Sequence, residues 1–161
     1  MEINFTVEQA LESDAASICS LIHELAVYER APNEAVLTPE IILNDGFGPN
    51  KIFTCYVARF NNEVIGIALL YIKYSTWKGR CVFLEDIVVT EQYRNKGIGK
   101  ALFQRAIRFA AEQNAGRLEW QVLDWNEPAI GFYRNFGAEL DPTWINCKFT
   151  REKLEQLNAS I

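Results

Sequence analysis

The segment QYRNKGIGKAL, residues 92–102, joins a predicted strand to a long predicted helix. The strand covers Cys81 to Val89 and is rich in β-branched residues. The helix is predicted to begin at residues 97–99 and to end at residues 114–116, where Gly116 serves as the stop signal. A glycine-containing connection from a strand into a helix indicates a mixed α/β protein.

The rest of the chain extends this pattern in both directions. Before the segment, the sequence first predicts a strand over 2–7 and a helix that is capped by Ser13 and Asp14 and runs to about Arg30. A short helix from Thr38-Pro39 to about Gly46 follows. The next predicted feature is an antiparallel meander of strands over 52–60, 64–74 and 81–89, with a turn at Asn61-Asn62. After it come a strand over 117–123, a helix over 126–137, a strand over 143–149 and a C-terminal helix. The order β-α-α-β-β-β-α-β-α-β predicts one sheet in a single α/β domain over residues 1–161.

The charges are distributed unevenly. The 161 residues are 49% hydrophobic and 23% charged, a globular composition that excludes disorder. With 16 basic and 21 acidic residues the chain carries −5, so nucleic acid is a poor partner. Residues 1–46 hold nine acids and one base, whereas residues 94–111 hold five bases and no acid. Such a chain could hold a cation at one place and an anion at another, or simply have solvated helix faces.

The cysteines and the histidine limit the chemistry. His23 is the only histidine, so a metal site with several histidines is excluded. None of the four cysteines lies in a C-x-x-C pair or at metal-ligand spacing, and we predict no metal. Cys19 and Cys55 are weak candidates for a nucleophile, because no basic residue is arranged around them in the sequence. No signal peptide and no membrane span is apparent, so we expect a cytoplasmic protein without membrane contacts.

The segment 92–102 also predicts an anion site. Residues that open a helix offer backbone N–H groups and the positive end of the helix dipole, and glycines let a ligand approach closely. Arg94, Lys96 and Lys100 add positive charge, and a pyrophosphate would suit the site. The pattern is neither a Walker loop nor G-x-G-x-x-G, and the alternative is an ordinary glycine-containing turn.

This glycine segment resembles the acetyl-CoA pyrophosphate loop of the GNAT N-acetyltransferase superfamily, R/Q-x-x-G-x-G/A. Five further segments are similar to the spermidine/spermine acetyltransferase family: IHELAVYE (22–29), DGFG (45–48), YSTWKGR (74–80), FLEDIVV (83–89) and VLDWNEPAIGFY (122–133). The segment 74–80 looks more like the thialysine N-ε-acetyltransferase branch, because polyamine-acetylating members carry an acid where Ser75 stands.

The resemblance implies a GNAT fold, a central and mostly antiparallel twisted sheet flanked by helices. It implies an acetyl-CoA-dependent N-acetyltransferase that acts on a small cationic amine, with thialysine, lysine-like amino acids, diamines and polyamines as candidates. Transfer would be direct, in a ternary complex, and the enzyme would be a homodimer. The alternatives are a protein lysine or N-terminal acetyltransferase and a non-catalytic acyl-CoA-binding sensor.

Two side chains are implied as proton carriers. Strand alternation predicts that Glu85 and Asp86 point to opposite faces, so that only one of them faces the substrate. The resemblance selects Glu85 to take the proton of the amine and Tyr133 to protonate the departing thiolate. A phenol is a plausible donor, although spacing alone favours a core aromatic at Tyr133, beside Phe132 and Phe136.

The resemblance also implies the binding residues. The acetyl-CoA contacts are Ile87, Val88, Val89, Arg94, Asn95, Lys96, Gly97, Ile98, Gly99, Lys100, Asn126, Ala129 and Tyr133. The acceptor contacts are Tyr28, Glu29, Trp77, Glu85, Glu119 and Trp120. The family places a further acid where this chain is shortened, between Gly137 and Trp144, and Asp141 is the candidate for it.

Overall fold

Four antiparallel strands and one parallel strand form a single sheet in the order β1-β2-β3-β4-β5. The strands are β1 (Thr6–Gln9), β2 (Thr54–Phe60), β3 (Glu63–Ser75), β4 (Gly79–Val89) and β5 (Leu118–Glu119). The computed structural model describes residues 3–160, so Glu2 of the predicted first strand lies outside the described residues. The predicted meander is confirmed, and the left-handed residues Asn61 and Asn62 form the tight turn between β2 and β3.

Helices cover both faces of this sheet. The helices α1 (Ala15–Tyr28) and α2 (Pro39–Phe47) pack on one face, which we call the α1 face, where Ile18, Ile22 and Ile42 join the core residues Val57 and Ile67. The helix α3 (Ile98–Glu112) packs on the opposite α3 face, where a Cβ at Gly66 would lie 3.1 Å from the side chain of Leu102. The predicted α/β class, with a mostly antiparallel sheet flanked by helices, is confirmed.

The helix ends follow the sequence with two differences. Thr38 caps α2 through its side chain, as predicted. Asp14 precedes α1 as its N-cap, but its carboxylate accepts the Leu11 N–H and pairs with Arg59 instead of capping the helix. The prediction that Gly116 stops α3 is wrong, because the left-handed residue after the helix is Asn114, at φ 49°.

The chain divides into two compact units, the first ending at Gln121 and the second beginning at Val122. The second unit contains α4 (Glu127–Arg134) and α5 (Arg151–Asn158). The strand predicted over 143–149 is wrong: the segment is irregular and exposed throughout. Pro142 and the turn in which Asp141 accepts the Thr143 N–H begin it, and in the described chain no strand pairs with it. The predicted strand over 117–123 is reduced to the two residues of β5.

Candidate active site

A β-bulge in the middle of β4 places two carboxylates on the same side of the sheet. Leu84 lies opposite Leu70 and Asp86 lies opposite Leu69, so Glu85 is an extra residue without a partner in β3. The expectation that Glu85 and Asp86 point to opposite faces is therefore wrong. Leu69 belongs to the core under α1 and α2, and Asp86, paired with it, lies on the α1 face as well.

The charges on this face interact unfavourably. Burial, followed by the negative charges of Glu85 and Glu29, raises the pKa of Asp86 to about 6. Burial also raises the pKa of Glu29, which caps the C-terminal end of α1. We call Glu29, Glu85 and Asp86 the acidic cluster. Three carboxylates held together with partial burial favour a cation among them.

Tyr71 of β3 extends the acidic cluster, and sequence reasoning missed it. Burial, the charge of Glu85 and a hydrogen bond to that carboxylate raise the pKa of Tyr71 to about 12. The phenol therefore remains a donor and orients Glu85. The pairing register is the signal that finds Tyr71, because it lies opposite Phe83, two residues before Glu85. Asp86 was missed as a member of the cluster for another reason: strand alternation does not reveal a bulge.

Two predicted acceptor residues, Glu119 at the end of β5 and Trp120 directly after it, lie on different faces of the sheet. Glu119 pairs with Phe83 and so shares the α1 face, but Lys73 and Arg117 each lie 3.3 Å from its carboxylate oxygens. Its charge is already balanced within the chain. Trp120 packs edge-on against Phe103 of α3, with 5.2 Å between ring centroids, which places it on the α3 face away from the acidic cluster.

The other two predicted acceptor residues lie at different distances from the cluster. Tyr28 ends α1 beside Glu29 and is partly exposed. Trp77 is 74% exposed in the turn between β3 and β4. About 20 Å of β4 separates this turn from Glu85. Trp77 therefore does not reach the acidic cluster of its own chain. Ser75 holds the turn, because its hydroxyl accepts the N–H groups of Trp77 and Lys78, each at 3.2 Å.

Beyond the bulge β4 has an open edge. The ladder between β4 and β5 ends at Phe83, and within residues 3–121 no strand continues it. Thr90 donates its N–H to Ile65 in β3. Because successive residues of an antiparallel strand alternate, the backbone groups of Ile87 and Val89 point to the open edge and those of Val88 point to β3. An extended ligand could add there as a further strand.

The predicted anion loop follows this edge. Asn95 and Gly97 both have left-handed backbones, with φ of 61° and 82°, and Gly97 is the N-cap of α3. The first turn of α3, from Ile98 to Lys100, presents N–H groups that the helix itself cannot satisfy. A Cβ at Gly97 would meet no atom within 4 Å, so the space above the loop is open. This backbone suits a pyrophosphate.

The basic side chains of the loop differ in their contacts. Lys96 donates from Nζ to the Gln92 carbonyl at 3.0 Å, and Lys100 is exposed. Arg94 points back to the rest of the chain: its Nε donates to the Val89 carbonyl at 3.0 Å, and its Nη2 lies 3.5 Å from Oε1 of Glu24. The sequence predicted that Arg94 binds a phosphate group. In the structure, its guanidinium contacts Val89 of β4 and Glu24 of α1.

The second unit holds the remaining predicted residues. Asn126 caps α4 by accepting the Ala129 N–H at 3.3 Å. Tyr133 is 6% exposed, and the ring of Phe132 lies 5.3 Å from its own, centroid to centroid. Asp141 accepts hydrogen bonds from Thr143, which lower its pKa.

Other reactive groups do not form a second centre. Cys19 Sγ lies 3.7 Å from Nδ1 of His23, so the expectation that no basic residue lies near Cys19 is wrong. Burial and then the charge of Glu40 raise the pKa of this thiol, the opposite of what an activated nucleophile needs. Among residues 3–160 no group of three or more His, Cys, Asp or Glu side chains could hold a metal ion. Within the same range, every helix is too short or too polar to cross a membrane.

Both the sequence and the fold are similar to those of known proteins. A model of the Acetyltransferase (GNAT) family matches residues 18–138. A thialysine N-epsilon-acetyltransferase of Mus musculus is 36% identical over 94% of this chain and 95% of that protein. A spermidine/spermine N(1)-acetyltransferase-like protein 1 of Homo sapiens is 32% identical over 93% of this chain but only 23% of that protein. The fold is similar to an aminoglycoside N-acetyltransferase solved with CoA, with 17% identity, a TM-score of 0.74 and coverage of 92% of this chain and 97% of that one.

Proposed function

Because this chain belongs to the acetyltransferase (GNAT) family and is an N-acetyltransferase that uses acetyl-CoA, we propose that its acceptor is a small amine with a second positive charge. Thialysine, a lysine-like amino acid, a diamine or a polyamine has this chemistry. The observation that carries the proposal is the acidic cluster of Glu29, Glu85 and Asp86 on one face of the sheet. A cation there offsets the burial and the repulsion by Glu85 and Glu29 that together raise the pKa of Asp86.

The first chemical requirement is a neutral amine, because an ammonium has no lone pair with which to attack a thioester. Glu85 is the proton acceptor in this proposal. It lies at the bulge, is exposed to solvent and accepts a hydrogen bond from Tyr71. Asp86 and Glu29 hold the charge of the acceptor while Glu85, directly or through water, removes the proton of the reacting amine.

The second requirement is a polarised and correctly placed acetyl group. Acetyl-CoA supplies the activated thioester. The open edge of β4 supports its pantetheine arm, with the N–H of Ile87 or Val89 directed at the acetyl carbonyl. Lys96, Gly97, Ile98, Gly99 and Lys100 cradle the pyrophosphate, with Asn95 shaping the turn, and Asn126 and Ala129 add contacts to the cofactor.

The third requirement is a proton for the departing thiolate, and Tyr133 is its proposed source. A phenolic O–H can donate its proton to a thiolate and regain a proton from water. No covalent enzyme intermediate is needed, so the acetyl group passes directly to the amine in a ternary complex. One carboxylate and one phenol transfer the protons in this mechanism, and His23 has no catalytic role.

We also propose that the protein is a homodimer, that it is cytoplasmic and that it forms one catalytic domain. The hairpin of β3 and β4 carries exposed Ile72, Tyr74 and Trp77, and we propose that it forms part of a homodimer in which Trp77 reaches the acceptor of the partner subunit. Three buried free cysteines suit a reducing, cytoplasmic compartment. The family match spans the boundary at residues 121 and 122, which supports one catalytic domain over residues 1–161.

Thiol release from acetyl-CoA tests the proposed function. Thialysine, lysine and spermidine are compared with a peptide that carries an internal lysine and a free N-terminus. We expect turnover on at least one small amine and, at equal concentration, at least about tenfold less on the peptide, because the cluster discriminates by charge and shape. Turnover on the peptide alone would identify a protein acetyltransferase. Saturable acetyl-CoA binding without turnover on any acceptor would identify a sensor.

A further inference from the structure

The side chain of Glu24, in α1, contacts the segment between β4 and the predicted anion loop, residues 94–100, which we call the glycine loop. Glu24 Oε1 accepts the backbone N–H of Glu91 at 2.9 Å, and the same oxygen lies 3.5 Å from Nη2 of Arg94. Glu91 opens the short 3₁₀ turn Glu91–Tyr93 that leads into the loop. Glu24 thereby fixes both ends of this turn.

Arg94 carries this connection in two further directions. Its Nε donates to the carbonyl of Val89, the last residue of β4, at 3.0 Å. Its guanidinium carbon lies 4.9 Å from the ring centroid of Tyr28, within the range of a cation–π contact. Glu24 and Tyr28 lie four residues apart and therefore on the same side of α1.

The connection joins the two substrate regions. Val89 belongs to the proposed acetyl-CoA edge and Arg94 to the proposed pyrophosphate loop. Tyr28 and the adjacent Glu29 belong to the proposed acceptor side. Both Glu24 and Arg94 keep 34% of their side-chain surface exposed, so neither is needed to fill the core.

We infer that Glu24 and Arg94 form a tie that couples acetyl-CoA binding to amine binding. Bound acetyl-CoA immobilises the loop, and Arg94 and Glu24 then restrict the motion of the last turn of α1. Amine binding to Tyr28 and Glu29 therefore costs less conformational entropy once acetyl-CoA is bound. Each substrate therefore increases the affinity for the other. Glu24 is a positioning residue in this scheme, since it acts through Arg94. The inference rests on the proposed function.

Two variants separate the parts of the tie. Glu24→Gln keeps the oxygen that accepts the Glu91 N–H but removes the charge that pairs with Arg94. Glu24→Ala removes both contacts. Glu63→Gln, an exposed carboxylate at the turn between β2 and β3, is the matched control.

The test measures binding of CoA, which cannot donate an acetyl group, by titration calorimetry with and without a saturating amine. The amine is whichever of thialysine, lysine and spermidine is turned over fastest. For the wild type and for Glu63→Gln we expect the amine to tighten CoA binding by about fivefold or more. The factor should fall below about twofold in Glu24→Ala and to an intermediate value in Glu24→Gln.

Either of two results would overturn the tie: an amine that is turned over but leaves wild-type CoA affinity unchanged, or a Glu24→Ala variant that keeps the wild-type factor. The second result includes a Glu24→Ala variant that binds CoA more weakly by the same factor with and without the amine, which indicates a merely structural role. Both results leave the transferase intact. Absence of turnover on every amine would instead refute the proposed function.

Discussion

Glu85 and Asp86 of the acidic cluster lie in β4, and the glycine loop follows that strand a few residues later, but the two regions are built for their ligands in different ways. The cluster places like charges together and buries them partly, so that Asp86 reaches a pKa of about 6. The loop uses backbone conformation, with Asn95 and Gly97 both left-handed and N–H groups directed outward. The cluster concentrates negative charge on side chains, whereas the loop concentrates backbone N–H groups that the helix does not satisfy.

The two regions should therefore respond to different kinds of substitution. Side-chain charge is decisive in the cluster, so substitutions there should change catalysis and pH dependence. Backbone geometry is decisive in the loop, where Arg94 and Lys96 contact carbonyl groups of the chain itself. Substitutions of backbone conformation should therefore weaken acetyl-CoA binding most.

The largest expected effect is the loss of Glu85. Glu85→Gln removes the proposed proton acceptor while keeping its size, and kcat/KM for the amine should fall by about 10²-fold to 10⁴-fold. The affinity for CoA should stay within about twofold of the wild type. Glu63→Gln is the control, because that exposed carboxylate lies at the turn between β2 and β3 and has no proposed role in binding or catalysis. Steady-state kinetics that showed equal losses in both variants would contradict a special role for Glu85.

Tyr133 extends the comparison to the second unit. Tyr133→Phe removes only the phenolic oxygen, and kcat should fall by roughly 10²-fold while CoA affinity is almost unchanged. Phe132→Leu, at the neighbouring ring, tests whether packing alone explains the loss. An unchanged kcat in Tyr133→Phe would remove the phenol from the mechanism.

Asp86 should show the cost of the acidic cluster directly. Its pKa rises from the usual 3.8 to about 6 in the folded protein, so the folded state binds this proton more tightly than the unfolded state. The unfolding free energy therefore falls as pH rises from about 4 through about 6, and the penalty is fully present above that. Asp86→Asn should unfold with about 1–3 kcal/mol more free energy than the wild type at about pH 8 and without a difference at about pH 4. Urea unfolding at both pH values measures this, and a variant that is less stable at about pH 8 would refute the strain.

A smaller effect is expected in the loop. Gly97→Ala must hold a side chain at φ 82°, which costs about 1 kcal/mol, so acetyl-CoA should bind about five- to tenfold more weakly. Gly79→Ala imposes similar strain at φ 74°, also in open space, but at the far end of β4. It should lower stability by a similar amount and leave acetyl-CoA affinity unchanged. Weaker binding in both variants would show that backbone strain outside the loop is sufficient, and would contradict a specific role for the loop.

The sequence predicted local features better than pairwise ones. Segments rich in β-branched and aromatic residues predicted the meander, and Gly97 predicted the start of α3, because each signal acts within a few residues. The bulge at Glu85 depends on the register between β3 and β4, so strand alternation wrongly predicted opposite faces for Glu85 and Asp86. The contacts of Arg94 with Glu24 and Tyr28 join residues about 70 positions apart in sequence and had no local signal. Residues 143–149 have a strand-like composition, but composition supplies no pairing partner.

The most direct test of the account compares cadaverine with pentylamine, which have the same carbon chain and differ by one charged amine. If the acidic cluster recognises a second positive charge, thiol release from acetyl-CoA should show a kcat/KM for cadaverine at least about tenfold higher, and Asp86→Asn should reduce that preference severalfold. Equal values for the two amines in the wild type would contradict recognition by the cluster.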